Sequence, residues 1–393
     1  MREEIEMKNR LPDILTVALF CGIVFLLSAA FVLLPAKDFS PDENRALEQK
    51  PEFTASRLFD GELTSDVNGW FSDQFPARGF FLKLRAAAET ALFKRENNGV
   101  IDGDGIYAVR SFNARYSRRL ESRDTDGFYE EAVKAQLENI GKLGERLDIP
   151  LYTVIPPRTV DIAAGDLRGY SPVGDITACI RESIPESAGY IDTFTPLKAA
   201  YDAGEYVYYR TDHHWTAHGA YIAYTAVMQS LGNGANIIPE SEFTAETVEG
   251  FVGTTGARAQ FPFTLTDTLT LMTRADDGEY EVTADGEPID GFFVRKWLAE
   301  SDKYSVYLDG THGVTTVRRA GGGQRKTLLI YKDSFANSLI PYLAREYDII
   351  ALDLKTNAAL SVGTAAALYG ADAVLIVYNA ENLITTVELG VLK

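Results

Sequence analysis

Residues 14–34 run for 21 positions without a charge or a proline. As a helix rising about 1.5 Å per residue, they span roughly 30 Å, the thickness of a bilayer's hydrocarbon core. A run that long and apolar has no place in the surface of a water-soluble domain, so the rest of the chain must fold without it. A cleaved signal peptide is the alternative. Ser28-Ala29-Ala30 offers a cleavage cue, but more apolar residues follow it and the run exceeds a typical signal core. We read 14–34 as an uncleaved transmembrane anchor and 1–13 as a cytoplasmic tail. Arg2, Lys8 and Arg10 precede the span and Lys37, Arg45 and Lys50 follow it, so basic residues do not set the orientation. A short tail before a single span predicts that the large domain lies outside the cytoplasm.

The remainder has the means to fold. Apolar residues make up 46% and charged residues 24% of the 393-residue chain, the balance of a globular protein. The 38 basic and 56 acidic residues leave a net charge of −18, which argues against nucleic acid or an anionic lipid surface as partner. The two cysteines are Cys21, inside the apolar run, and Cys179. They supply neither a disulfide framework nor a zinc-spaced pair.

Residues 35–100 read as an extracytoplasmic connector and helical region. Pro35, Pro41 and Pro51 interrupt its start, and Phe81, Leu84, Ala88 and Leu92 recur at helical spacing on one face. Asp102-Gly103-Asp104-Gly105 lacks the later bidentate Glu of a calcium loop and reads as a turn. From there to 393 short apolar runs alternate with helical patterns. The runs are at 150–155, 190–192, 326–331, 348–352 and 373–378, and the helices at 128–147, 217–231, 335–346 and 361–368. That alternation predicts a mostly parallel sheet covered on both faces. Residues 245–325, rich in Thr, Asp and Gly, read as a β-rich insertion.

Three of the four histidines crowd into Asp212-His213-His214-Trp215-Thr216-Ala217-His218. In an extended segment Asp212 and His214 project to the same side, with His213 opposite and Trp215 packing beneath the imidazole. A carboxylate there fixes the ring's tautomer and leaves its other nitrogen free to take a proton, which is the orienting half of a serine triad. The alternative is a buried His beside a helix that starts near Thr216, with Asp212 as cap. Ser334 follows a hydrophobic strand and opens a helix, at the carboxyl edge of the sheet where open α/β folds place their sites. Its hydroxyl is the candidate nucleophile, and its own N–H the candidate oxyanion donor. A plain N-cap is the alternative. Arg158 is a candidate for binding an anionic group, and Asn337 and Asn379 for donating to an oxyanion. Each has a local pairing or capping role as its alternative. A zinc site on His214 and His218 with Asp212 or His213 is the competing chemistry, but it lacks the Glu that serves as base in a metalloprotease helix. No metal or cofactor is expected.

Asp212-His213-His214-Trp215 resembles the signature of the DHHW proteins, which are membrane-anchored bacterial proteins similar to the SGNH-hydrolase-like domain of alginate O-acetylation proteins. Glu43-Asn44-Arg45-Ala46-Leu47, Phe71-Ser72-Asp73-Gln74-Phe75-Pro76-Ala77-Arg78, Asn98-Gly99-Val100 and Lys332-Asp333-Ser334-Phe335-Ala336-Asn337-Ser338 extend the resemblance in family order over about residues 41–382. It implies a three-layer α/β/α, flavodoxin-like fold outside the cytoplasm, with Ser334 as nucleophile, His214 as base and Asp212 as orienting acid. It also implies an O-acetyltransferase or acetylesterase acting on a cell-surface polysaccharide. In alginate systems a separate membrane-bound acyltransferase supplies the acyl groups. The serine block departs from the family pattern, reading Lys-Asp-Ser where the SGNH pattern has Gly-Asp-Ser. The alternatives are a non-catalytic glycan-binding or assembly protein and a metal-dependent hydrolase.

Overall fold

A computed structural model describes residues 2–59, 62–110, 126–167, 170, 175–321, 323–353, 355 and 361–385. Gly322, the middle of the glycine run that closes the β-rich segment, lies outside them. The chain forms two compact units, Met1–Leu92 and Phe93–Lys393.

The first unit begins with α1 (Arg2–Leu33). Its Pro12–Leu33 portion, with a mean hydropathy of 2.6, is the one helix among the described residues long and apolar enough to cross a membrane. Two longer helices, α2 (Glu62–Asp73) and α3 (Arg78–Ala91), follow a short strand pair at 39–46 and a one-turn helix, Ala55–Phe59.

The second unit is built on a sheet. Its main elements are α4 (Asp126–Arg146), β1 (Leu151–Val154), β2 (Tyr190–Ile191), α5 (Ala217–Ser230), β3 (Thr244–Phe251), β4 (Asp267–Thr273), β5 (Tyr280–Ala284), β6 (Glu287–Pro288), β7 (Val314–Arg319), β8 (Thr327–Lys332), α6 (Phe335–Leu343), β9 (Asp348–Asp353), α7 (Val362–Tyr369) and β10 (Ala373–Val377), with further short helices between them and a small three-stranded sheet at 96–109 ahead of α4. The central sheet has the order β6-β5-β7-β9-β8-β10-β1-β2. From β9 to β2 all neighbours are parallel, and β5–β7 extend the sheet antiparallel. Residues 245–325 therefore divide in two: β3 and β4 pair only with each other, while β5–β7 join the main sheet.

Alternation along β8 shows why the sheet is covered on both faces. Leu328 and Ile330 pack on one side with α5 and α6, and Leu329 and Tyr331 on the other with α4 and α7. Every one of these side chains is fully buried. The result is the three-layer α/β/α arrangement expected from the sequence. It leaves the β8–α6 turn at the carboxyl edge of the sheet, where a side chain is held by rigid elements on both sides.

Candidate active site

Helix α6 begins where β8 ends, and one carboxylate decides how it starts. Asp333 Oδ1 accepts the Phe335 N–H at 3.0 Å, and its Oδ2 ties down the Asn379 N–H at 2.6 Å and the Asn382 amide at 2.7 Å. Burial pushes the Asp333 carboxyl above its ordinary range, against these hydrogen bonds. Asp333 thus takes over the capping job, and the Ser334 side chain caps nothing. Its hydroxyl instead lies 2.7 Å from His214 Nε2. At α5, Thr216 is the cap, accepting from the Gly219 N–H at 3.2 Å, which leaves Asp212 free for other work.

Asp212 uses both oxygens. Oδ1 accepts from His214 Nδ1 at 2.5 Å and from the His214 backbone N–H at 3.0 Å. Oδ2 accepts from the Thr254 N–H at 2.8 Å and the Thr254 hydroxyl at 3.1 Å. Burial opposes its ionisation, but the imidazoles of His213 and His214 and the hydrogen bonds outweigh that and hold its carboxyl well below the usual range. An ionised Asp212 fixes the proton on Nδ1 and leaves Nε2 to accept from Ser334. The contact is the expected one, but the local cause differs. Residues 209–214 are not extended. They form a tight loop closed by the Tyr208–Trp215 bridge, in which Asp212 turns back onto the backbone of His214, as Asp side chains do in turns.

A second buried carboxylate pins that loop. Asp267, at the start of β4, accepts from the N–H groups of Arg210 and Thr211 at 2.8 Å each, from the Thr211 hydroxyl at 2.5 Å and from the Tyr206 hydroxyl. Asp267→Ala strands one buried and one part-buried N–H donor and two hydroxyls. We expect it to destabilise the unit by about 3 kcal/mol, read as a lower denaturation midpoint at unchanged slope.

Gly253 sits against the other side of Asp212. A Cβ there would lie 2.2 Å from Asp212 Cβ and 2.3 Å from Oδ2. Its backbone, at φ −78° and ψ −178°, is one any residue adopts, so the requirement for glycine is purely spatial. Gly253→Ala is expected to shift Asp212 and cost roughly 10- to 100-fold in kcat/KM without deleting any reacting group.

The imidazole is held from its faces too. Tyr304 stacks on it at 3.8 Å and 5°, and Phe335 lies at 4.8 Å. Trp215, expected beneath the ring, lies elsewhere: it is fully buried and its Nε1 donates to Phe335 O at 3.1 Å and Ser338 Oγ at 2.9 Å, fastening α6. His213 does not point away either. Its ring lies 3.8 Å from that of His214, Nδ1 meets Thr254 Oγ1 at 2.9 Å, and burial pushes its pKa down to about 3.

Three of the sequence candidates have partners within the scaffold. The buried Arg158 is forked onto Asp161 at 2.8 Å twice and reaches Glu381 at 3.4 Å, so its charge is spent within its own turn and the neighbouring helix. Asn379 donates its amide to Pro156 O at 2.9 Å and Pro157 O at 3.2 Å. Asn337 donates to Gly310 O at 2.9 Å. All three help to bind the scaffold together.

The metal reading also loses its geometry. His218 is held between Glu240 at 2.8 Å and Glu205 at 2.7 Å, which raise its pKa to about 9. Asp212, His213 and His214 do bring ligand atoms within 4.8 Å of one another. However, both Asp212 oxygens and His214 Nδ1 are already engaged, and two imidazoles bonded to this network make a poor cation cage.

Residues 197–352 match the family model described as DHHW protein. This region is similar to the DHHW proteins. Its signature is the Asp212–Trp215 loop, and its match ends at β9. The chain is also 25% identical over 240 residues to the probable alginate O-acetylase AlgJ of Pseudomonas syringae pv. tomato, across 60% of this chain. It spans 57% of that relative's length. Among solved structures, a DHHW family protein from Eubacterium siraeum aligns with a TM-score of 0.55 at 22% identity, over 75% of this chain and 95% of its own. Bacillus cereus PatB1 aligns with a TM-score of 0.55 at 22% identity, over 65% and 91%. These structural likenesses establish the fold.

Tyr304, Thr254, Gly253 and Asp267 escaped the sequence reading. Each reaches the site from a distant part of the chain through a sheet pairing or a loop packing that no local spacing encodes. The one local signal was Gly253-Thr254-Thr255-Gly256, a turn-like run inside the β-rich segment.

Proposed function

We propose that this chain is a serine-dependent O-acyltransferase acting on a cell-surface polysaccharide, anchored by Pro12–Leu33 with its second unit outside the cytoplasm. The observation that carries the reading is the Ser334 hydroxyl. It stands at a helix start, where serine normally caps, yet its hydrogen-bond partner is a buried imidazole with an ionised carboxylate behind it. Similarity to a probable alginate O-acetylase supports the polysaccharide and the acetyl group.

In the proposed mechanism Ser334 Oγ attacks the carbonyl carbon of an acyl ester while His214 Nε2 takes the hydroxyl proton. Asp212 stabilises the imidazolium through Nδ1–H and does not itself become protonated. The tetrahedral oxyanion is met by the Ser334 N–H at the positive end of α6. As the C–O bond to the donor alcohol breaks, His214 returns the proton to the leaving oxygen, and the acyl group stays on Ser334. A sugar hydroxyl then attacks, gives its proton to His214, and leaves as the new ester when the Ser334 oxygen is reprotonated. Water in place of the sugar gives an esterase. A separate membrane-bound acyltransferase is a suitable acyl source, as in alginate systems.

The test is an acetyl-ester assay on the full chain with and without a polysaccharide acceptor. The proposal expects acetyl groups on the polysaccharide and a faster release of the donor alcohol when acceptor is present. Alcohol release at one rate with an unmodified polysaccharide would make the protein a hydrolase. No release under either condition would remove the enzymatic reading.

A further inference from the structure

The helical pattern at 80–92 suggests a face turned toward a core, and the structure turns it outward. On α3, Phe80, Phe81, Leu84 and Ala88 share one face, and all are exposed, Phe80 by 62% and Leu84 by 53%. The opposite face carries the fully buried Ala86. Lys83, paired with Asp42, and Arg85, paired with Glu89, flank the apolar face on its two sides. This is the reverse of a helix that presents its polar side to water.

What covers this face follows from where it is connected. Phe31, near the end of the membrane-length helix α1, has its ring 5.1 Å from Trp70 and 5.0 Å from Phe71, both on α2. The contacts continue from Phe71 to Phe75 at 5.8 Å, from Phe75 to Phe81 at 5.9 Å, and from Phe81 to Phe80 at 5.4 Å. Phe31 lies three residues before the apolar run ends, so in a spanning helix it sits a few ångströms inside the hydrocarbon edge. Rings in contact with it are at the same depth. That is the level at which aromatic side chains concentrate in membrane proteins.

The arrangement is also fastened. Arg45 forks onto Asp73 at 2.6 and 2.8 Å, and Arg78 onto Glu43 at 2.9 and 3.0 Å. Gln74 accepts from the Lys37 N–H and donates to the carbonyls of Lys37 and Glu48. These are the sequence blocks around Glu43 and Asp73 that the acyl-transfer chemistry leaves unexplained. They bind α2 and α3 to the strand of chain that leaves the span.

We propose that α2 and α3 form a juxtamembrane platform whose aromatic face is seated in the headgroup–acyl boundary of the bilayer. The occupant is neutral lipid, held by apolar contact, in keeping with the chain's negative charge. The proposal rests on Pro12–Leu33 crossing the membrane and is independent of the acyl-transfer reading. It is tested on the full chain in phosphatidylcholine nanodiscs, with an environment-sensitive fluorophore on Leu84→Cys in a Cys21→Ala, Cys179→Ala background. Lipids carrying a doxyl quencher should remove most of the emission, and aqueous iodide should remove little. Quenching by iodide alone means the face is in water and overturns the proposal. Protection from both quenchers means a protein, such as a second copy, covers it, and also overturns it. A label on native Cys21 in a Cys179→Ala background reports the span separately. Its quenching by doxyl lipid is expected, and its failure removes the anchor and the platform together.

Discussion

Ser334→Ala is expected to lower acetyl-ester turnover by roughly 10⁴-fold or more while leaving the melting temperature essentially unchanged. The fold does not depend on this hydroxyl, because Asp333 already holds the start of α6 through the Phe335 N–H. Ser334 is half-buried and its side chain bonds His214 Nε2, so alanine removes one hydrogen bond to a group that water can satisfy. A large loss of activity with an intact fold separates a nucleophile from a structural serine. Comparable rates for the two proteins in that assay would mean that the acyl group never passes through Ser334.

Asp212→Asn should cost about 10³- to 10⁴-fold in kcat and, unlike the serine change, some stability. The carboxylate accepts four hydrogen bonds and donates none. An amide must place its NH₂ against either the His214 pair or the Thr254 pair. Facing His214, it reverses the tautomer and puts the proton on Nε2, where it blocks proton uptake from Ser334. Facing Thr254, it strands a buried N–H, at about 1–3 kcal/mol. The wild-type carboxyl lies well below its ordinary range, so a folded-state pKa depressed relative to the unfolded chain contributes stability above the unfolded value. That contribution is lost as pH falls through the folded value. The Asn variant should therefore show a flatter dependence of melting temperature on pH below about 4. An equally steep decline in both proteins would show that Asp212 is not the ionised partner.

The α/β alternation was legible because it is written in short-range pattern. Leu328-Leu329-Ile330-Tyr331 cannot satisfy a helix and a solvent face at once, so the sheet and its carboxyl edge follow. The contact of Ser334 with His214, and of His214 with Asp212, was legible for a related reason: both segments fall at turns beside the sheet. The supports were not. Asp267 acts on Arg210 and Thr211 across 56–57 positions, and Gly253 and Thr254 meet Asp212 across about 42. Tyr304 reaches His214 from a single 3-10 turn, Lys303–Val306, too short to show a periodicity. Trp215 misled because an aromatic residue next to a histidine suggests stacking, whereas the bridge to Tyr208 turns its indole under α6. Arg158, Asn337 and Asn379 show the other side of reading an edge from sequence: each has partners within the scaffold. A polar residue at the edge of a sheet is as readily consumed in holding turns together as in binding a ligand.

The most direct test of the central claim is mass spectrometry of the full chain quenched during turnover of an activated acetyl ester. The expected result is one acetyl group on the peptide that carries Ser334, absent from Ser334→Ala and accumulating in a variant slowed at deacylation. Turnover by the wild-type protein with no acetyl group on that peptide, or with the same acetylation in Ser334→Ala, would contradict a Ser334 acyl-enzyme.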